Sequence, residues 1–127
     1  MRPSLTFCLA ILGIIAVLYA ITPRFGHVGY SQVMAATADI NGGIKVALGQ
    51  YVVDNGRYPK NIQDLVQQPS GTTNWHGPYL EKTPIDPWGN SYIYECPGRH
   101  NTNAYDLFSA GPDGRIGTED DIGNWTK

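Results

Sequence analysis

Apolar residues follow three different patterns along this chain. From Leu5 to Ile21 (LTFCLAILGIIAVLYAI) there is no charge, and the uncharged stretch extends from Pro3 to Pro23. At 1.5 Å per residue such a run crosses roughly 30 Å of hydrocarbon, so it predicts a transmembrane helix over about 5–21. From about Tyr30 to Asp54 the apolar residues recur at helical spacing, and Val33, Ala36, Ile40, Ile44, Ala47, Leu48 and Tyr51 would share one face. The anchor is therefore expected to continue as a helix over 30–54. Pro23 and the pair Gly42-Gly43 are its bend points, because proline removes a helix hydrogen bond and glycine costs about 1 kcal/mol against alanine. Asn55-Gly56 supplies a stop that tolerates positive φ.

Beyond residue 55 the pattern shortens. Ile62 to Gln67 (IQDLVQ) predicts one or two helical turns closed by Pro69, and Gln68 to Gly77 reads as loop. Ser91 to Glu95 (SYIYE) alternates as a strand does, Ala104 to Phe108 (AYDLF) offers a second strand, and Arg99 to Asn103 joins them at hairpin length. Ahead of both strands Pro84 to Asn90 (PIDPWGN) predicts a rigid structural corner: its two prolines fix φ, Gly89-Asn90 accepts a tight turn, and Trp88 is expected to plug the core. The predicted class is α+β. An N-terminal segment, 1–29, carries the membrane span; a domain, 30–127, comprises the helix continuation 30–54 and a C-terminal region 55–127.

Charge and cysteine usage narrow the function. The net charge is −2 and the nine basic residues are spread singly, so no nucleic-acid stripe or polybasic membrane patch is present. A removed secretory signal competes with a retained anchor, but its apolar region is normally shorter, and Ala36-Thr37-Ala38 lies too far downstream to serve as its cleavage site. With Arg2 before the span and the bulk of the chain after it, the domain is expected on the outer side of the membrane. Cys8 in the span and Cys96 in the domain are expected to be free thiols.

The candidate chemistry lies between Ser109 and Ile122, where Asp113, Glu119, Asp120 and Asp121 crowd a turn-forming stretch rich in glycine. Adjacent carboxylates repel unless a cation sits between them, and a hard cation taking six to eight oxygens is the usual solution. A plain solvated turn has the same composition. The order is not that of an EF-hand, since Gly114 directly follows Asp113, and any site would mix carboxylates with backbone carbonyls. Catalysis finds no support: His27, His76 and His100 are scattered, and there is neither a nucleophile elbow nor a phosphate loop. Trp75, Tyr79, Trp88, Tyr92 and Tyr94 could form a carbohydrate platform, but in so small a domain they are expected in the core.

Taken in order, Asp54-Asn55-Gly56-Arg57-Tyr58-Pro59, Gly77-Pro78-Tyr79-Leu80, Asp86-Pro87-Trp88-Gly89-Asn90, Tyr105-Asp106-Leu107-Phe108-Ser109 and the acidic loop with Asp120-Asp121-Ile122 and Trp125 resemble the major pseudopilins of bacterial type II secretion, the general secretion pathway protein G family. The resemblance implies a type IV pilin-like fold: a long N-terminal transmembrane helix, a small antiparallel sheet and a C-terminal calcium-binding loop. It implies a structural subunit and no enzyme: a single-pass protein of the bacterial inner membrane with its C-terminal domain in the periplasm. Such a subunit forms a homopolymer through its N-terminal helices and meets other pseudopilins and inner-membrane secretion components. Calcium ligands would fall on the side chains of Asp113, Asp120 and Asp121, on backbone oxygens near Ala110 and Arg115, and on the Ser109 hydroxyl; Pro87, Trp88, Gly89 and Trp125 would be structural. The family's leader glycine and intramembrane glutamate have no counterpart here, because Arg2 to Leu9 holds no glycine and no acid precedes Asp39. A tethered periplasmic calcium-binding module that does not polymerise is the alternative expectation.

Overall fold

The computed structural model describes residues 28–126. The predicted span over 5–21, His27 and Cys8 lie outside the described residues, among which no helix is long and apolar enough to cross a membrane. Two helices come first, α1 (Val28–Asn41) and α2 (Gly43–Asn55), separated by a turn at Gly42. The predicted weak point at Gly42-Gly43 is thus where the helix breaks. The end of α2 also follows the expected chemistry: Gly56, at φ +72°, donates its N–H to the Val52 carbonyl.

The buried face of the helices consists of Ala36, Ile40, Ile44, Ala47, Leu48 and Tyr51, as the periodicity predicts. Val33 departs from it, left 36% exposed by so small a sheet. Ile62–Leu65 forms a 3₁₀ turn where one or two helical turns were predicted. Asp64 explains its start: its Oδ2 accepts the N–H of Lys60 and of Asn61, both at 3.1 Å, closing a capping box that favours a tight first turn.

Three short strands follow, β1 (Ile93–Glu95), β2 (Asp106–Ser109) and β3 (Ile122–Gly123), in the antiparallel order β1-β2-β3. Ile93 pairs with Phe108 across β1 and β2, and Ser109 with Ile122 across β2 and β3. The first two strands lie within two residues of their predicted positions, whereas β3 has no counterpart in the sequence pattern. Asn124 supplies what two residues of pairing cannot: its Oδ1 accepts the Leu107 N–H at 3.0 Å and its side-chain amide donates to the Tyr105 carbonyl at 3.0 Å.

Helices and sheet close on one core of Ile40, Leu48, Tyr51, Leu65, Tyr92 and Leu107, with Trp75, Tyr79 and Tyr94 packed against it. Four of the five aromatics expected in the core, Trp75, Tyr79, Tyr92 and Tyr94, are therefore found there or packed against it. Their hydroxyls are anchored: Tyr92 donates to Asp39 at 2.8 Å, Tyr79 to Asp54 at 2.7 Å and Tyr94 to the Pro59 carbonyl at 2.8 Å. Burial, and then its bond to Asp39, holds the Tyr92 hydroxyl in the protonated form far above the ordinary phenol range. Trp88 is half-buried and stands outside this cluster, so it does not plug the core. Cys96 is a free thiol.

Candidate functional site

Ser109, the last residue of β2, begins the acidic loop. Its hydroxyl is wholly buried, donates to Asp86 Oδ2 at 2.6 Å and accepts the Gly111 N–H at 3.0 Å. Asp86 in turn organises the 84–90 corner, where its Oδ1 accepts the N–H of Trp88 (3.1 Å) and Asn90 (2.8 Å). The side chain of Gln32 in α1 donates to the Pro87 carbonyl at 3.1 Å, so the corner ties the helix to the loop. Ala110 is buried next to Ser109. Gly111 then turns the chain at φ +67°, and a Cβ there would collide with the Asp120 carbonyl, so the two arms of the loop close only around glycine.

The carboxylates occupy different settings. Asp113 is exposed; its N–H donates to Asp120 Oδ2 at 3.2 Å, and its Oδ1 accepts the Arg115 N–H at 2.8 Å. The Thr118 hydroxyl lies within reach of the Arg115 carbonyl (3.0 Å) and of Asp120 Oδ1. That hydroxyl, followed by the Asp113 N–H, outweighs desolvation and holds the Asp120 carboxyl below the usual carboxylate range. Asp121 is buried: Oδ2 accepts the Gly117 N–H at 2.8 Å, while Oδ1 is sealed from solvent with no hydrogen-bond partner. Glu119 is exposed.

The donors are all oxygens, the ligand class of calcium, and the unpartnered Oδ1 of Asp121 is a buried acceptor with its lone pairs unused. Asp113 and Asp120 are directly joined. Asp121, however, lines a separate cleft with Phe108, Ile116 and Trp125, and among the described residues no three acidic, histidine or cysteine side chains converge as a ligand set. The loop thus holds the right atoms, and a calcium ion would require the three carboxylates to turn toward one another.

A second acidic centre was not singled out in the sequence. Asp106 is 1% exposed, and its carboxylate accepts the N–H groups of Arg99 (2.8 Å), His100 (2.8 Å) and Asn101 (2.9 Å) and the Asn101 side-chain amide at 3.0 Å. His100 Nδ1 lies 3.0 Å away, and its ring stacks on Trp125 at 4.0 Å between centroids and 5° between planes. Gly98 allows this approach, because a Cβ there would collide with the Asp106 carboxylate. Burial alone would raise the Asp106 pKa, but the converging donors win and hold it below the ordinary value. The signal available was an acid inside an otherwise apolar run, Tyr105 to Phe108.

The outer face of the helices carries large apolar side chains among exposed polar ones such as Ser31, Asn41, Lys45 and Gln50. Tyr30 (70% exposed), Met34, Val46 and Val53 (84%) carry large hydrophobic side chains into solvent. Beside the end of α2 a cleft of about 540 Å³ opens between Val53, Pro78 and Tyr79, with Asp54 and His76 on its margin.

The family model described as "Type II secretion system (T2SS), protein G" matches residues 24–125. The type II secretion system core protein G of Escherichia coli K12 is 39% identical over 125 residues, covering 92% of this chain and 83% of the relative. That of Pseudomonas aeruginosa is 40% identical over 126 residues, covering 91% and 85%. Among solved structures, the major pseudopilin of the type 2 secretion system of enterohaemorrhagic Escherichia coli superposes with a TM-score of 0.70 at 34% identity, over 82% of this chain and 95% of that one.

Proposed function

The chain belongs to the type II secretion system protein G family, a family of structural pseudopilin subunits and not of enzymes, and from that premise we propose that it polymerises into a pseudopilus that supports protein export across the outer membrane. The N-terminal apolar segment anchors the subunit in the inner membrane as a single pass, with the C-terminal domain in the periplasm, and later packs beside the same segment of neighbouring copies and other pseudopilins. The observation that carries this reading is the division of the helix surface. One face is sealed, against the sheet in α1 and against the 62–65 turn in α2, while the other leaves Tyr30, Met34, Val46 and Val53 exposed. A monomer has little use for such a stripe.

Calcium has a place in this reading as a structural ion. The side chains of Asp113, Asp120 and Asp121, with backbone oxygens near Ala110 and Arg115 and the Ser109 hydroxyl, would hold it. Its charge would relieve carboxylate repulsion and pin the loop to β2 and β3. In a domain this small, ion binding adds directly to a modest core.

Cross-linking full-length protein in membranes tests the polymer. A ladder of homopolymers reaching well beyond the dimer is expected. Dimers or monomers alone would leave the tethered, non-polymerising module as the function.

A further inference from the structure

We propose that successive copies of this chain are keyed head to tail, the exposed Arg115-Ile116 pair of one copy seating in the cleft beside Val53 and Asp54 of the next; this rests on the polymer reading above.

The acidic loop projects an apolar knob. Ile116 is 65% exposed, and the Arg115 side chain beside it enters no ion pair among the described residues. The cleft at the end of α2 offers the complement: an apolar wall of Val53, Pro78 and Tyr79, and the carboxylate of Asp54, which accepts the Tyr79 hydroxyl through Oδ2. His76 stands 3.8 Å from that oxygen, and Asp54 remains partly exposed. No basic residue lies in the last turn of α2, so the negative end of the helix dipole adds to the attraction for a guanidinium.

Position decides the occupant. The Gln32 to Pro87 bond and the Asp86 to Ser109 bond fix the loop near the start of α1, whereas the cleft lies near the end of α2. Roughly 30 Å of helix separates Gln32 from Val53. Knob and cleft therefore belong to opposite ends of the helical pair, and a second copy displaced along the helix axis brings them together. Such a contact is heterologous and leaves a free knob at one end and a free cleft at the other, so it propagates without closing. It is small, and it acts as a register key once the helices have raised the local concentration of copies.

Full-length protein carrying Val53→Cys and Ile116→Cys, with the native cysteines retained, is oxidised in membranes beside wild type and each single variant. A lysine-reactive cross-linker reports assembly independently. A disulfide ladder beyond the dimer is expected only in the double variant, and adding Arg115→Glu should weaken it about five- to tenfold. Lysine cross-linked polymers without the disulfide ladder overturn the key and leave the polymer standing. A ladder through Val53→Cys with Ile85→Cys in place of Ile116→Cys, or through cysteines of other pseudopilins only, overturns the assigned partner. Absence of polymers under both chemistries overturns the key and the polymer together.

Discussion

Ser109 and Asp86 meet at 2.6 Å in the protein interior, and this single bond joins the end of the central strand to the corner that α1 holds. Asp86 accepts three hydrogen bonds, two of them from main-chain N–H groups that would otherwise be left without partners. Removing this buried acceptor costs more than the bond itself contributes, since it leaves the wholly buried Ser109 hydroxyl without the acceptor it donates to. Asp86→Ala is expected to destabilise the domain by about 2–4 kcal/mol and Ser109→Ala by about 1–3 kcal/mol. Urea denaturation of both variants checks this, and equal stability to wild type would show the bond to be incidental.

Asp106 sets the acid limit of the fold. Its carboxyl titrates below the ordinary value of 3.8, so the unfolded chain binds its proton at a higher pH than the folded one does. A depressed pKa contributes stability that is fully present above the unfolded value and is lost as pH falls through the folded one. Stability should therefore decline as pH drops from about 4 downward. In Asp106→Asn, already about 2–4 kcal/mol less stable at neutral pH, that part of the decline should be missing. Thermal unfolding from pH 7 to pH 2.5 distinguishes the two profiles.

Gly111→Ala tests the closure of the acidic loop. The substitution combines a positive φ with a collision against the Asp120 carbonyl, neither of which relaxes without opening the loop. A cost of about 2 kcal/mol or more is expected. Amide exchange should be accelerated at Gly114, whose N–H bonds to the Gly111 carbonyl. An alanine variant with unchanged exchange would show that the loop closes by other means.

Calcium at about 100 times its dissociation constant should stabilise the domain by about 2.7 kcal/mol, or roughly ten degrees or more in Tm for a fold of this size. Chelation should reverse the gain, and Asp113→Ala with Asp120→Ala should abolish it. Melting curves that superimpose with and without calcium would make the loop a solvated turn.

Leu48 lies at the centre of the helix face and is fully buried. Leu48→Ala should cost about 2–5 kcal/mol through lost burial and the cavity left behind. Val53→Ala, at 84% exposure, should stay within about 0.5 kcal/mol while weakening assembly. Chemical denaturation separates the two residues, and comparable losses would contradict the inner and outer assignment of the helix surface.

What was legible in the chain was what depends on local order. Helical periodicity identified six of the residues that α1 and α2 bury, Gly42-Gly43 marked the break, Asn55-Gly56 marked the end, and alternation located β1 and β2 within two residues. The ordered motifs from Asp54 to Trp125 pointed to the family that comparison established. Tertiary structure decided the rest, because those features depend on residues far apart in the chain. Two-residue β3 carries no pattern of its own and exists through its pairing with β2 and the Asn124 bonds. Trp88 left the core to the tyrosines, whose hydroxyls found partners on distant elements. Asp86 and Asp106 became buried hubs only where folding converged backbone donors on them, and the acidic loop's four carboxylates, one crowd in the sequence, were sorted by that same convergence into exposed, paired and buried settings.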